Sequence, residues 1–361
     1  MRSIIRRLIF GMLWLLAMAG CDVHEIPEMD STPVPFSLHL DFNTDLPLYE
    51  EIHYTRGINE TKAFATHDVR YTVKAYREES DSRFSRVAHD TFVFTFPDIH
   101  NLDRTLQLSL PEGNYIFKVW VDYVDKNSIL DKYYETGDFA EIILANRTDH
   151  PGSNDYRDAF RGSVVASIVN PDYYTGSALA AIDNQARVDM IRPMGKYKFI
   201  STDLEVFLTR VAKTLIDQGI IDKVESKATY EELLKLVNLD DYQIVFRYNI
   251  FMPCSFNMFT DRPADSWTGM SFKSLMHNEN NREITLGFDY IFVNGTQTTL
   301  SISVEVYNGQ GEMLSASKPV DVPIVRSKLT VVRGDFLTTK ASGGVAINPG
   351  FDGPDYNIEI K

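Results

Sequence analysis

Apolar side chains at every second position, in one segment after another, constrain this chain more than any other feature. Phe36, Leu38, Leu40 and Phe42 alternate with Ser37, His39 and Asp41. Tyr71, Val73 and Ala75 alternate with Thr72 and Lys74, and Phe92, Phe94 and Phe96 repeat the pattern, as do Leu106, Leu108 and Leu110. After the turn PEGNY the rhythm continues through Tyr115, Phe117, Val119, Val121 and Tyr123. A period of two sends one row of side chains into a core and the other outward. With no helical pattern between these runs, the prediction is a mostly β protein of antiparallel sandwiches rather than a parallel sheet.

The chain's 361 residues suggest two domains, at roughly 150 residues each. A sandwich is expected over 36–185, and a second over 186–340 that opens with ARVDMIRPMGKYKFIS. A loop-rich stretch from about Asn146 to Asn184 surrounds the strand FRGSVVASIV. The second domain carries a helical insertion. Near 202–218, Leu204, Phe207, Leu208, Val211 and Leu215 share a helix face, with Asp203 placed to cap the start and Gly219 to stop the end. Near 229–237, Thr229 and Glu232 form a capping-box pattern. Leu300, Ile302, Val304 and Val306 then alternate, and NGQG closes a hairpin. A glycine-rich tail, 341–361, ends in one alternating piece of Tyr356, Ile358 and Ile360. That piece either closes its own sandwich or is donated to a neighbouring subunit.

The start of the chain reads as an export signal. Arg2, Arg6 and Arg7 precede an apolar run from Leu8 to Met18, then Ala19 and Gly20, then Cys21. A basic start, a short apolar core and small residues before a cut describe a signal peptide, here 1–20. The run is shorter than the roughly 20 residues a membrane span needs. Met18-Ala19-Gly20-Cys21 resembles the bacterial lipobox, with Met18 where Leu is usual; the resemblance implies cleavage before Cys21 and fatty acyl chains on its thiol. More than one chain makes a stable anchor. Residues 21–35 follow as an acidic tether, with Asp22, Glu25, Glu28 and Asp30 and no Lys or Arg. Such a tether does not seek anionic lipid.

Charge and motifs exclude more than they assign. The 36 basic residues less the three signal arginines, against 50 acidic residues, make the net charge −17 after cleavage. No Lys/Arg cluster larger than a pair appears, so nucleic acid is excluded as a partner. There is no HExxH, CxxC pair, GxSxG, P-loop or GxGxxG, and no catalytic residue, metal ligand set or cofactor is expected. Asp149, Asn154, Asp155 and Asp158 do not fit a calcium loop and read as a polar turn with Asx caps. Cys254, within FMPCSFNMF, reads as a buried inert thiol. Tyr133-Tyr134, Tyr173-Tyr174 and Trp267 lie in turn-rich segments, where aromatics either pack inward or stack on sugars.

Read together, CDVHEIPE after the lipobox, LPEGNYIFKVWVDY, VDMIRPMGKYKFIST and VDVPIVRSKLTVVRGDFLT resemble the fimbrillin-type surface lipoproteins of Bacteroides-group bacteria. The likeness is greater to two-domain fimbrial anchor or accessory proteins than to stalk subunits. The resemblance implies tandem Greek-key, transthyretin-like sandwiches, an outer-membrane, cell-surface location, and a non-enzymatic role in fimbria assembly and adhesion by β-strand exchange. Its implied partners are the outer membrane, through lipid on Cys21, and other fimbrial subunits. Arg56, the first basic residue after Cys21, is the earliest site for a trypsin-like maturation cut. The alternative is a non-polymerising lipoprotein that binds glycan or host protein.

Overall fold

The computed structural model describes residues 32–42, 66–79, 83–97, 99, 101–220, 228–276, 282–338, 345–347 and 355–360. It is a tandem of β-sandwiches. In the first, a sheet of β4 (Arg104–Leu110), β1 (Val34–Phe42) and β9 (Gln185–Met190) faces one of β3 (Asp90–Phe96), β2 (His67–Arg77), β5 (Gly113–Asp125) and β8 (Phe160–Ile168). The alternating rows meet between them: Phe36, Leu38 and Leu40 with Tyr71, Val73, Phe117 and Val119, all buried. Phe36 stacks on Phe117 at 5.1 Å.

The second sandwich sets β17 (Ile284–Phe292), β10 (Met194–Ser201), β21 (Leu329–Gly334), β23 (Asp355–Ile360) and β22 (Val345–Ile347), in that order, against a second sheet. That sheet runs β16 (Ser271–Ser274), β11 (Gln243–Tyr248), β18 (Gln297–Tyr307), β19 (Met313–Ala316), with β20 (Val320–Val325) also on β18. Gly195 lets β10 and β20 approach closely, since a Cβ there would lie 2.2 Å from the carbonyl oxygen of Val325. The NGQG hairpin forms, joining β18 to β19.

Three features differ from the sequence expectation. Residues 186–190, expected to open the second sandwich, instead complete the first: β9 runs parallel to β1 and buries Val188 and Met190 in the first core. The second sandwich begins at β10. Next, β6 (Tyr134–Glu135) and β7 (Ile142–Leu144) come from the expected first domain but join the second core, β6 pairing with β7 and β7 with β13 (Ser255–Asn257). Finally, the sheets are not purely antiparallel, because β1–β9, β10–β21 and β21–β23 are parallel. Each such strand returns to its sheet after a long excursion, which permits a parallel approach that a tight hairpin forbids.

The insertion folds as expected, into α2 (Leu204–Asp217) and α3 (Tyr230–Leu236), after the short α1 (Gly176–Ala180). α2 buries Leu204, Phe207, Leu208 and Val211. Gly219, at φ +69°, takes the left-handed turn that ends it. The capping box of Thr229 and Glu232 is complete. Asp203 occupies the N-cap of α2 but does not cap it. Its carboxylate accepts from the backbone N–H of Thr338 at 2.8 Å and from the Ser201 hydroxyl at 2.5 Å. Among the described residues no helix is long and apolar enough to cross a membrane.

Candidate functional site

The element that ties the expected membrane tether to the fold is β1, and the structure gives it an unusual place. It is the central strand of its sheet, hydrogen-bonded antiparallel to β4 on one side and parallel to β9 on the other. Its outward side chains reinforce both flanks. His39 bonds Thr105 of β4 through Nδ1 at 2.8 Å and Gln185 of β9 through Nε2 at 3.0 Å. The Ser37 hydroxyl donates to Gln107 at 3.1 Å, and Arg187 pairs with Asp41 at 2.9 Å.

Its inward side chains Val34, Phe36, Leu38 and Leu40 are all at most 3% exposed. Full burial of an apolar side chain stabilises by about 1.5–3 kcal/mol, so the four contribute on the order of 6–12 kcal/mol as an upper estimate. The whole stability of a typical domain is about 5–15 kcal/mol. A first sandwich deprived of β1 therefore either unfolds or takes another strand into the slot between β4 and β9. This chemistry is backbone pairing plus pocket filling by alternate side chains.

Of the residues singled out in the sequence, Cys21 and Arg56 lie outside the described residues. Tyr356, Ile358 and Ile360 fall within β23, whose backbone pairs parallel with β21 and antiparallel with β22.

Sequence reasoning missed a buried polar seam, which holds the segment between the sandwiches to the second one. Asp289 of β17 accepts from His150 Nε2 at 2.6 Å, from Tyr248, and from Arg157. All four side chains are buried. Burial opposes the ionisation of Asp289, but the Arg157 guanidinium together with the contacts from His150 and Tyr248 outweighs it and holds the carboxyl below its ordinary range. Burial, then Arg157, push His150 down, so it is neutral. Beside this group, Asp158 pairs with Arg192 and Asp155 with Lys196 at 2.7 Å. Asn154 caps a turn through Tyr156 N. Asn154, Asp155 and Asp158 of the loop are thus divided among separate partners, two of them cations, and Asp149 joins none of them. Only scattered, lone charges in the sequence signal this seam, and nothing in their spacing announces it.

The remaining candidates separate by burial. Cys254 is 1% exposed, and burial pushes its thiol up to about 12, which makes it unreactive. Tyr133 and Tyr134 are core residues, and Trp267 packs on the second core. Tyr173 and Tyr174 are exposed, at 59% and 39%.

These features define a class, that of two-sandwich β proteins with a buried first strand. The chain belongs to a family whose profile matches residues 31–361 and whose description is a family of unknown function, DUF6562. No curated protein matches it. Among solved structures, it is similar to a candidate adhesin from Bacteroides thetaiotaomicron VPI-5482, at 12% identity, covering 79% of this chain and 80% of that one, with a TM-score of 0.37. It is also similar to the fimbrial anchor protein Mfa2 from Porphyromonas gingivalis (10%, 79% and 82%, TM-score 0.37). A candidate polysaccharide-binding protein from Bacteroides thetaiotaomicron VPI-5482 is similar at 9%, 78% and 79%, with a TM-score of 0.38. At these scores none of the likenesses transfers a residue role.

Proposed function

We propose that this protein is a non-enzymatic lipoprotein of the outer membrane, exposed at the cell surface and held by acyl chains on Cys21. In this reading it serves as a fimbrial anchor or accessory subunit, acting in fimbria assembly and adhesion through β-strand exchange. The observation that carries the reading is the place of β1. Only residues 22–33 separate Cys21 from Val34, and Val34 opens a strand hydrogen-bonded on both flanks. A pull on the lipid then loads β1 along its length, against two ladders and a buried apolar row. The non-enzymatic reading is supported by the burial of His150 and Asp289, whose carboxylate is taken up by His150 and Arg157 within the core. The second reading, capture of glycan or host protein without polymerisation, is favoured by the exposure of Tyr173 and Tyr174.

An anchor keeps its first strand, so Arg56 stays uncut. Mass spectrometry of the protein taken from the cell surface should find an acylated Cys21 at its N-terminus. An N-terminus at Gly57 would mean β1 is released, and would replace the anchor with a stalk-like subunit. Cys21→Ala should abolish labelling by a fatty-acid probe and stable membrane association; normal labelling in that variant ends the lipid reading.

A further inference from the structure

A groove of about 700 Å³ lies on the outer face of the second sandwich, over β11 and β16, bounded by the turn after β18 and by the loop at 148–149. Its volume is in the range of small-ligand sites, roughly 300–1,000 Å³. Strand alternation explains its lining. Ile244, Phe246 and Tyr248 point into the core, so Gln243, Val245 and Arg247 point out into the groove. Lys273 stands opposite Val245 on β16, and Tyr307 opposite Gln243 on β18.

Part of this lining is held rigid and part is free. Arg247 Nε donates to Glu305 at 2.7 Å, and the Tyr307 hydroxyl donates to the other oxygen of Glu305, also at 2.7 Å. Burial opposes the charge on Glu305, but these two donors outweigh it and keep its carboxyl below the ordinary range. The array is set before any ligand arrives, which lowers the ordering cost of binding. By contrast, the side chains of Asp149, Asp240, Gln243 and Lys273 make no hydrogen bond or ion pair among the described residues.

We infer that this groove binds a neutral oligosaccharide. The free groups are two acceptor-only carboxylates, one amide that both donates and accepts, and one donor-only ammonium. Set around the half-buried Tyr307 and the outward-facing apolar side chain of Val245, they match a ligand whose every hydroxyl both donates and accepts and whose ring faces are apolar. Charge narrows the class. The lining carboxylates Asp149, Asp240 and Asp241 outnumber Arg247 and Lys273, and Arg247 is already paired with Glu305 behind it, in a chain of net charge −14, so an acidic glycan is repelled. A cationic peptide would meet the acids but would lie across Arg247 and Lys273. The inference gives the glycan-capture reading a site, at a place other than Tyr173 and Tyr174, and does not depend on strand exchange.

The test is calorimetric titration of the purified full chain with neutral glucan, mannan and galactan oligosaccharides, with polygalacturonate and oligolysine as charged probes. Saturable binding of a neutral oligosaccharide is expected. The double variant Asp240→Ala/Gln243→Ala should weaken it at least tenfold, with the melting temperature unchanged because both side chains lie at the surface. Binding undiminished in that variant, binding of a charged probe alone, or no binding to any neutral oligosaccharide overturns the inference. Acylation of Cys21 and the N-terminus found on cells are independent of every one of these outcomes, so a failure here is distinct from a failure of the anchor reading.

Discussion

Asp289 is the residue whose loss the interior can least absorb. It is 1% exposed, and it neutralises Arg157 while accepting from His150 and Tyr248. Asp289→Ala leaves the Arg157 guanidinium buried without its counter-charge, and removing one member of a buried pair costs about 3–5 kcal/mol. A urea titration should show that loss as a lower midpoint; an unchanged midpoint would show that water reaches the seam. His150 supplies a pH dependence. Its folded-state value lies below the ordinary 6.5, because burial and then Arg157 disfavour its charge. As the pH falls through about 6.5 the unfolded chain takes up a proton that the folded chain refuses, so stability declines. His150→Gln removes this titration. Between pH 7.5 and 5.5 the wild type should therefore lose more unfolding free energy than the variant. Equal losses in the two proteins would assign the pH dependence to other groups.

At the scale of elements, local signals found the strands and helices, and distant contacts chose their partners. The capping box at Thr229 is complete within four residues and was legible. Asp203 has the right position and residue type for a cap, yet its carboxylate is claimed by Ser201 and by the backbone at Leu337 and Thr338, far along the chain. The final strand raises the same question of partner. β23 lies between β21 and β22, an interior place in its sheet. Truncation after Gly350 deletes β23 and exposes the edge of β21. If β23 belongs to its own sandwich, the melting temperature falls by several degrees. Unchanged melting together with lost assembly would instead make the tail a strand donated to a neighbour. Unchanged melting and unchanged assembly would leave it no role in either.

At the scale of the molecule, the two sandwiches are joined by polar clamps as well as by the chain. Asp261, in the turn after β13, accepts from Arg161 of β8 at 2.6 Å and from Arg326, just past β20, at 2.9 Å. Lys118 of β5 reaches the carbonyl of Met258 at 3.0 Å and lies over the Phe259 ring. One carboxylate thus holds an arginine from each sandwich. Asp261→Ala removes the shared acceptor and leaves two partly buried cations near one another. Each hydrogen bond to a charged group contributes about 1.5–3 kcal/mol. Because Asp261 is 44% exposed, solvent screening brings the total toward the low end. Scanning calorimetry should show a lower first transition, and separation of the melt into two steps if the clamp is what couples the sandwiches. A single transition at the wild-type temperature would assign the coupling to the shared apolar contacts.

The sequence by itself determined the class of fold, because alternation is a property of neighbouring residues: β1 buries Val34, Phe36, Leu38 and Leu40 and β4 buries Leu106, Leu108 and Leu110 at every second position, and β18 keeps that rhythm except at the buried Ser303. It also pointed to a buried, inert Cys254, since apolar surroundings in sequence became apolar surroundings in space, whereas Tyr133 and Tyr134, in a polar stretch, are core residues only through their tertiary contacts. Only the tertiary structure decided what each strand pairs with. β17 is buried along its whole length, so no alternation of exposure marks its faces, and β9 reads the same whether it joins the sandwich before it or the one after. The first strand was legible, but the slot that holds it was not, because β4 and β9 stand about 70 and 150 positions away in the chain. The Asp289 seam and the groove over β11 are likewise made of residues far apart in sequence. Their charges become meaningful only when packing removes the water between them, or leaves a space that a ligand can fill.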